Sequence, residues 1–115
     1  MKLYIAVLDT FPDYMTPTLV AHTVLGAHLK FVNNDSYNDW LTNSFKKCVV
    51  RVNQKEFDKI STLENVYIGR ENKTLDGRDS CIIVCPRKEN PNVLKFAKLW
   101  KPISMEDSVQ GTTET

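Results

Sequence analysis

The sequence predicts a three-layer α/β/α domain on a four-stranded mixed sheet, and three observations predict it. Short β-rich runs alternate with amphipathic stretches through residues 1–101, in the order β-α-α-β-α-β-β-α. The first run, Lys2 to Leu8, is apolar at almost every position, as a strand buried on both faces must be. Helices placed between strands then need two sheet faces to cover.

Each element has its own local cause. After the first strand, Asp9 to Tyr14 breaks the apolar run, and Thr16-Pro17 offers a capping hydroxyl followed by a proline in the first turn. The spacing of Leu19, Val20, Val24, Ala27 and Phe31 predicts a helix from Pro17 to about Phe31 with one face on the sheet. Asn33 to Ser36 is a turn, and Ser36 with Asp39 predicts the cap of a short helix from Tyr37 to Phe45. Lys47 to Val52 reads as the second strand. Asn53 and Glu56 then form a capping pattern for a helix from Gln54 to about Thr62. Asn65 to Arg70 is the third strand, Glu71 to Asp79 a polar loop with an Asp76-Gly77 turn, and Ser80 to Cys85 the fourth strand, stopped by Pro86. Asn90-Pro91 opens a last helix, expected to run to Leu99 or Trp100.

A net charge of +1 conceals two parts. All fifteen Lys and Arg lie at or before Lys101, whereas three of the fourteen Asp and Glu lie after it, so residues 1–101 carry +4. Residues 102–115 are polar and acidic and are expected to form a flexible tail. No apolar run approaches the roughly 20 residues of a membrane span, and the N-terminus shows no cleavable-signal pattern, so a cytoplasmic protein is expected. Cys48, Cys81 and Cys85 are odd in number and sit in apolar runs, which predicts reduced, buried thiols.

Several chemistries are excluded by spacing. The four glycines, at 26, 69, 77 and 111, cannot form a dinucleotide fingerprint or a Walker loop. His22 and His28 are six positions apart, about 9 Å along a helix and on different faces, so they do not chelate one ion. Cys81 and Cys85 share a strand face but stand about 13 Å apart. No metal and no cofactor is expected. The mid-strand cysteines make no argument for a Cys–His pair.

What remains is binding. The helix start at Thr16 and Thr18 can present free N–H groups to an anion. The loop segment Arg70, Glu71, Asn72, Lys73 and Thr74 places both charges, an amide and a hydroxyl at the ends of strands, where polar function concentrates. Lys46, Lys47, Arg51, Lys55, Lys59, Arg87, Lys88, Lys95, Lys98 and Lys101, interleaved with Trp40, Phe45, Phe57 and Trp100, can make a weak phosphate-tracking surface.

The element order and two motifs resemble the type II peptidyl-tRNA hydrolase family. There an apolar strand is followed by a helix opening M-S-P-G-K-[LV]-A-A-Q-x-x-H-A. Here the strand is followed by Met15-Thr-Pro-Thr-Leu-Val-Ala21-His-Thr-Val-Leu-Gly-Ala27, matching at Met15, Pro17, Ala21 and Ala27. Trp40 on a helix, the K-x-V-V-x-V strand of Lys47 to Val52, the Glu71 to Thr74 loop with Gly77, and Ser80 to Pro86 continue the likeness to about residue 100. It implies a peptidyl-tRNA hydrolase II-like fold and a place near tRNA. Carried over by position, the family's reactive lysine is Leu19, its glutamine Thr23, its loop aspartate Glu71 and its threonine Thr74. An alternative register sets His22 on the family histidine but supplies no lysine.

Leucine cannot stabilise a phosphate or an oxyanion, and losing such a donor costs about 3 kcal/mol of transition-state stabilisation. The resemblance therefore implies a non-catalytic adaptor, with Thr16, Thr18, Thr23, Arg70, Asn72, Lys73, Lys46 and Lys47 as binding residues. The chain from MKLYIAVLD to LKFAKLWKP also resembles the small T4-type phage modifiers of valyl-tRNA synthetase, which implies a host aminoacyl-tRNA synthetase, tRNA or both as partners. Two alternatives stand beside this reading. One is an active peptidyl-tRNA hydrolase using His22, Glu71 and Thr74; the other is a phage counter-defence protein that binds a host protein through its acidic tail or an apolar patch. The oligomeric state, a homodimer among the options, is open.

Overall fold

β1 (Lys2–Leu8) is buried from Leu3 onward because it has a neighbour on each side and helices above and below. The computed structural model describes residues 1–71 and 77–102. Around β1 stand β2 (Lys46–Val52), β3 (Val66–Glu71), β4 (Arg78–Val84) and β5 (Lys98–Leu99), in the order β3-β4-β1-β2-β5. β1 runs parallel to β2, with Lys2 opposite Lys46 and Leu8 opposite Val52, and antiparallel to β4. β3 and β5 are antiparallel edges.

Side-chain alternation along the strands divides the core in two. Leu3, Ile5, Val7, Cys81, Ile83 and Cys85 face α1 (Thr16–Phe31) and α2 (Asp35–Asp39) through Ala27, Phe31 and Tyr37. Tyr4, Ala6, Leu8, Val50, Val52, Ile82 and Val84 face α3 (Gln54–Ser61) and α4 (Asn92–Lys95) through Phe57, Ile60 and Leu94. Phe11, Met15 and Leu19, from the turn before α1 and its first turn, join this second cluster. The fold is mixed α/β with helices on both faces of the sheet, as expected.

The sheet has five strands, not four. The last helix stops at Lys95 instead of Leu99 or Trp100, and the chain then lies along the open edge of β2, pairing Leu99 with Val50 and Lys98 with Arg51. Trp100 N–H donates to the Val49 carbonyl at 2.8 Å. An exposed edge of β2 would leave a row of backbone groups unpaired, and these bonds satisfy part of it.

Two helix starts also differ from expectation. A 3-10 turn at Asp13–Met15 runs directly into α1, so the position before Thr16 is already helical and the Thr16 hydroxyl does not cap; Thr16 is buried instead. α2 is capped by Asn34, whose side chain accepts from Tyr37 N–H at 2.9 Å, not by Ser36. It ends at Asp39 and widens into a π turn, Trp40–Ser44, closed by Phe45 in the left-handed region at φ 62°. For α3, Asn53 and Glu56 form the expected reciprocal capping box.

Candidate functional site

The parallel pair β1 and β2 ends toward one side of the sheet, where the chain leaves β1 through Thr10 and Phe11 and enters α3 at Gln54. In open α/β sheets this carboxyl edge is where crevices form. A cleft of about 520 Å³ lies there, lined by Leu8, Thr10 and Phe11, by Gln54, Phe57, Asp58 and Ser61 of α3, and by Ile68, Arg70, Gly77, Arg78 and Asp79 of the β3–β4 hairpin.

Its floor is apolar because Leu8, Phe11 and Phe57 belong to the core beneath it. Its rim is charged for a local reason. The β3–β4 register shifts between Gly69, opposite Cys81, and Arg70, opposite Asp79. Such a bulge re-aims the side chains beyond it. Arg70 Nε then donates to Asp79 Oδ1 at 2.7 Å. The Arg78 guanidinium stands over the Phe11 ring, 5.3 Å from its centroid. On the opposite wall Gln54 Nε2 donates to Asp58 Oδ1 at 2.8 Å. Gly77 has φ 75°, a conformation that a residue with a Cβ adopts at a cost.

The cleft therefore offers two guanidinium groups, one stacked on an aromatic ring, two hydrogen-bonded carboxylates and the hydroxyls of Thr10 and Ser61 above an apolar base. None of its described lining residues is a histidine, lysine or cysteine. Guanidinium groups above an apolar base suit a planar or anionic group.

Of the residues expected from sequence, Arg70 lies in the cleft. Asn72, Lys73 and Thr74 lie outside the described residues, as do the side chain of Glu71 and the tail from residue 103. His22 and Thr18 are exposed on α1, whereas Thr16 is 4% and Thr23 0% exposed. The Thr23 hydroxyl donates to the Leu19 carbonyl at 2.7 Å, and Leu19 itself is 2% exposed.

Lys46 and Lys47 do not join Arg70. They open β2, opposite Lys2 and Leu3, whereas the cleft lies beyond Leu8, about 20 Å away along a strand of this length. Lys47 is also engaged, with its ammonium 3.3 Å from the Phe45 ring centroid and donating to the Phe45 carbonyl at 2.6 Å. Of the described binding residues expected from sequence, Arg70 thus lies at one end of the sheet, Lys46 and Lys47 at the other, Thr18 on the surface of α1, and Thr16 and Thr23 inside the core.

Sequence reasoning missed Thr10, Phe11, Gln54, Asp58, Arg78 and Asp79. The available signal was positional: residues just past β1 and β2, and those flanking Gly77, stand at strand ends, but which ends meet depends on β4 pairing with β1.

Neither buried thiol is poised to react. Burial pushes Cys81 up to about 12. Burial also raises Cys85, against a smaller opposing effect of Arg87. Among the described residues no group of three His, Cys, Asp or Glu side chains can hold a metal ion, and no helix is long and apolar enough to cross a membrane. No family model matches the chain, and no curated protein matches it.

Proposed function

We propose that the chain is a non-catalytic adaptor that binds an aminoacyl-tRNA synthetase together with its tRNA, the valyl enzyme in the first instance, and presents the cleft between α3 and the β3–β4 hairpin to that complex. One observation carries the non-catalytic part. The two helix positions that would hold reactive groups in a peptidyl-tRNA hydrolase are Leu19 and Thr23, both sealed in the core, with the Thr23 hydroxyl spent on the Leu19 carbonyl. No cationic group reaches the cleft from α1. Arg70 and Arg78 at the rim, the second stacked on Phe11, fit phosphate and base surfaces.

The test is co-elution of the purified chain with valyl-tRNA synthetase, with and without tRNA, on gel filtration. The reading expects a complex that needs tRNA and is weakened by Arg70→Glu and by Arg78→Glu. Absence of any complex in both conditions overturns it. Release of the peptidyl group from peptidyl-tRNA by the wild-type chain, abolished by His22→Ala, would establish the hydrolase reading in its place.

A further inference from the structure

α1 is apolar on two opposite faces. Its inner face, Leu19, Thr23, Ala27 and Phe31, is buried. On its outer face Ala21 is exposed, and Leu25, Leu29 and Val32 are 69%, 77% and 49% exposed. At 3.6 residues per turn these four lie within an arc of about 80°, directly opposite the buried face.

The charge is elsewhere. α1 contains no carboxylate, and its one lysine, Lys30, is turned to β3, where it donates to the Val66 carbonyl at 2.7 Å. A helix apolar on both faces is normally buried on both, yet only one face of α1 is covered by the described residues.

We infer that the outer face of α1 is the interface of a two-fold homodimer. Two features of this face fit a second copy. The first is shape. In an antiparallel pair of α1 helices centred on Leu25, Leu25 meets its own counterpart, while Leu29 of each copy lies over Ala21 of the other, a large residue in the gap left by a small one. The second is area. At roughly 200 Å² for a fully exposed large side chain, the exposed parts of Leu25, Leu29 and Val32 come to on the order of 400 Å² per copy, and the exposed Thr18, Ala21, His22 and His28 around them bring this to about 500 Å². Two copies reach the roughly 1,000 Å² at which an interface becomes specific. With no carboxylate or free lysine on the face, self-pairing brings no two permanent like charges together, and His22 of each copy faces His28 of the other. This surface is distinct from the cleft and does not depend on what the cleft binds.

Sedimentation equilibrium of the full chain at neutral pH tests the inference. The expected result is a monomer–dimer equilibrium that is mostly dimer at about 100 μM, a concentration suited to an interface of this size. Leu25→Glu and Leu29→Glu, both at exposed positions, should each raise the dissociation constant at least 100-fold with an unchanged circular dichroism spectrum. Leu25→Cys should form a disulfide-linked dimer under mild oxidation, which fixes the register. A wild-type chain that stays monomeric at that concentration overturns the inference. So does a monomer that dimerises only when residues 103–115 are removed, because the tail would then be the cover of α1. A dimer that both glutamate substitutions leave intact overturns it as well.

Discussion

The hydroxyl of Thr23 stands where a side chain on Gly69 would have to be: a Cβ at Gly69 would lie 2.1 Å from Thr23 Oγ1 and 2.8 Å from its methyl. α1 and β3 approach closely at this point because one partner has no side chain and the other is satisfied within its own helix, through the Leu19 carbonyl. Gly69→Ala should therefore destabilise the protein by about 1–3 kcal/mol through overpacking. Thr23→Ala in the same chain should recover part of that loss, since it removes the two nearest atoms. A double-mutant cycle in urea measures the coupling, and additive losses would show that the contact is not what limits the packing.

Arg51 joins three segments. It gives two hydrogen bonds to the Asp13 carboxylate, at 3.0 and 3.1 Å, and one to the Lys101 carbonyl at 2.5 Å, and its guanidinium lies 5.1 Å from the Trp100 ring centroid. Both members of the pair are about four-fifths buried, so solvent screening is reduced. Arg51→Ala should cost about 1–3 kcal/mol and release β5, seen as lost hydrogen-exchange protection at Trp100 N–H. Arg51→Lys should restore little of it, because an ammonium cannot make the two parallel bonds. Protection at Trp100 that survives Arg51→Ala would mean that the backbone bond to Val49 suffices alone.

Where one local signal had no rival, the sequence could be read directly. Asn53 and Glu56 are the sole capping pattern before α3, and both halves of the box form, each at 2.9 Å. Before α2, by contrast, Asn33, Asn34, Asp35 and Ser36 are all capping types, and Asn34 prevails; its Oδ1 also receives the Cys85 thiol at 3.4 Å, a contact from 51 residues away. The chain end misled for a similar reason. Residues 92–100 carry a helical apolar pattern, but the open edge of β2 captures Lys98 and Leu99. The cleft was the least legible part, because it assembles from three strand ends whose neighbours are set by tertiary pairing. Asn53→Ala checks the legible case: loss of the box should cost about 1 kcal/mol, read as a lower urea midpoint with an unchanged slope, and a null effect would assign the helix's stability to Phe57 and Ile60 alone.

The buried thiols make stability fall at alkaline pH. Burial raises Cys81 from an ordinary 9.0 to about 12, a hydrogen bond with Thr23 opposing it in part. Cys85 is raised by burial and Tyr37 by burial and by the charge of Cys85. In the unfolded chain these groups lose their protons at lower pH than in the fold. Above about pH 9 the unfolded state thus binds fewer protons than the native state, and stability must fall as pH rises. The contribution of Cys81 is fully present below pH 9 and declines from there toward 12. Urea midpoints at about pH 8, 9 and 10 should decrease in that order, and Cys81→Ala, though less stable at pH 8 from the lost packing, should show a shallower decline. Thiol labelling gives an independent check: Cys48, the half-exposed one, should react first with iodoacetamide, and Cys81 only as fast as the chain unfolds. A Cys81 that labels in the folded state as fast as Cys48 would mean that the sheet opens locally around β4.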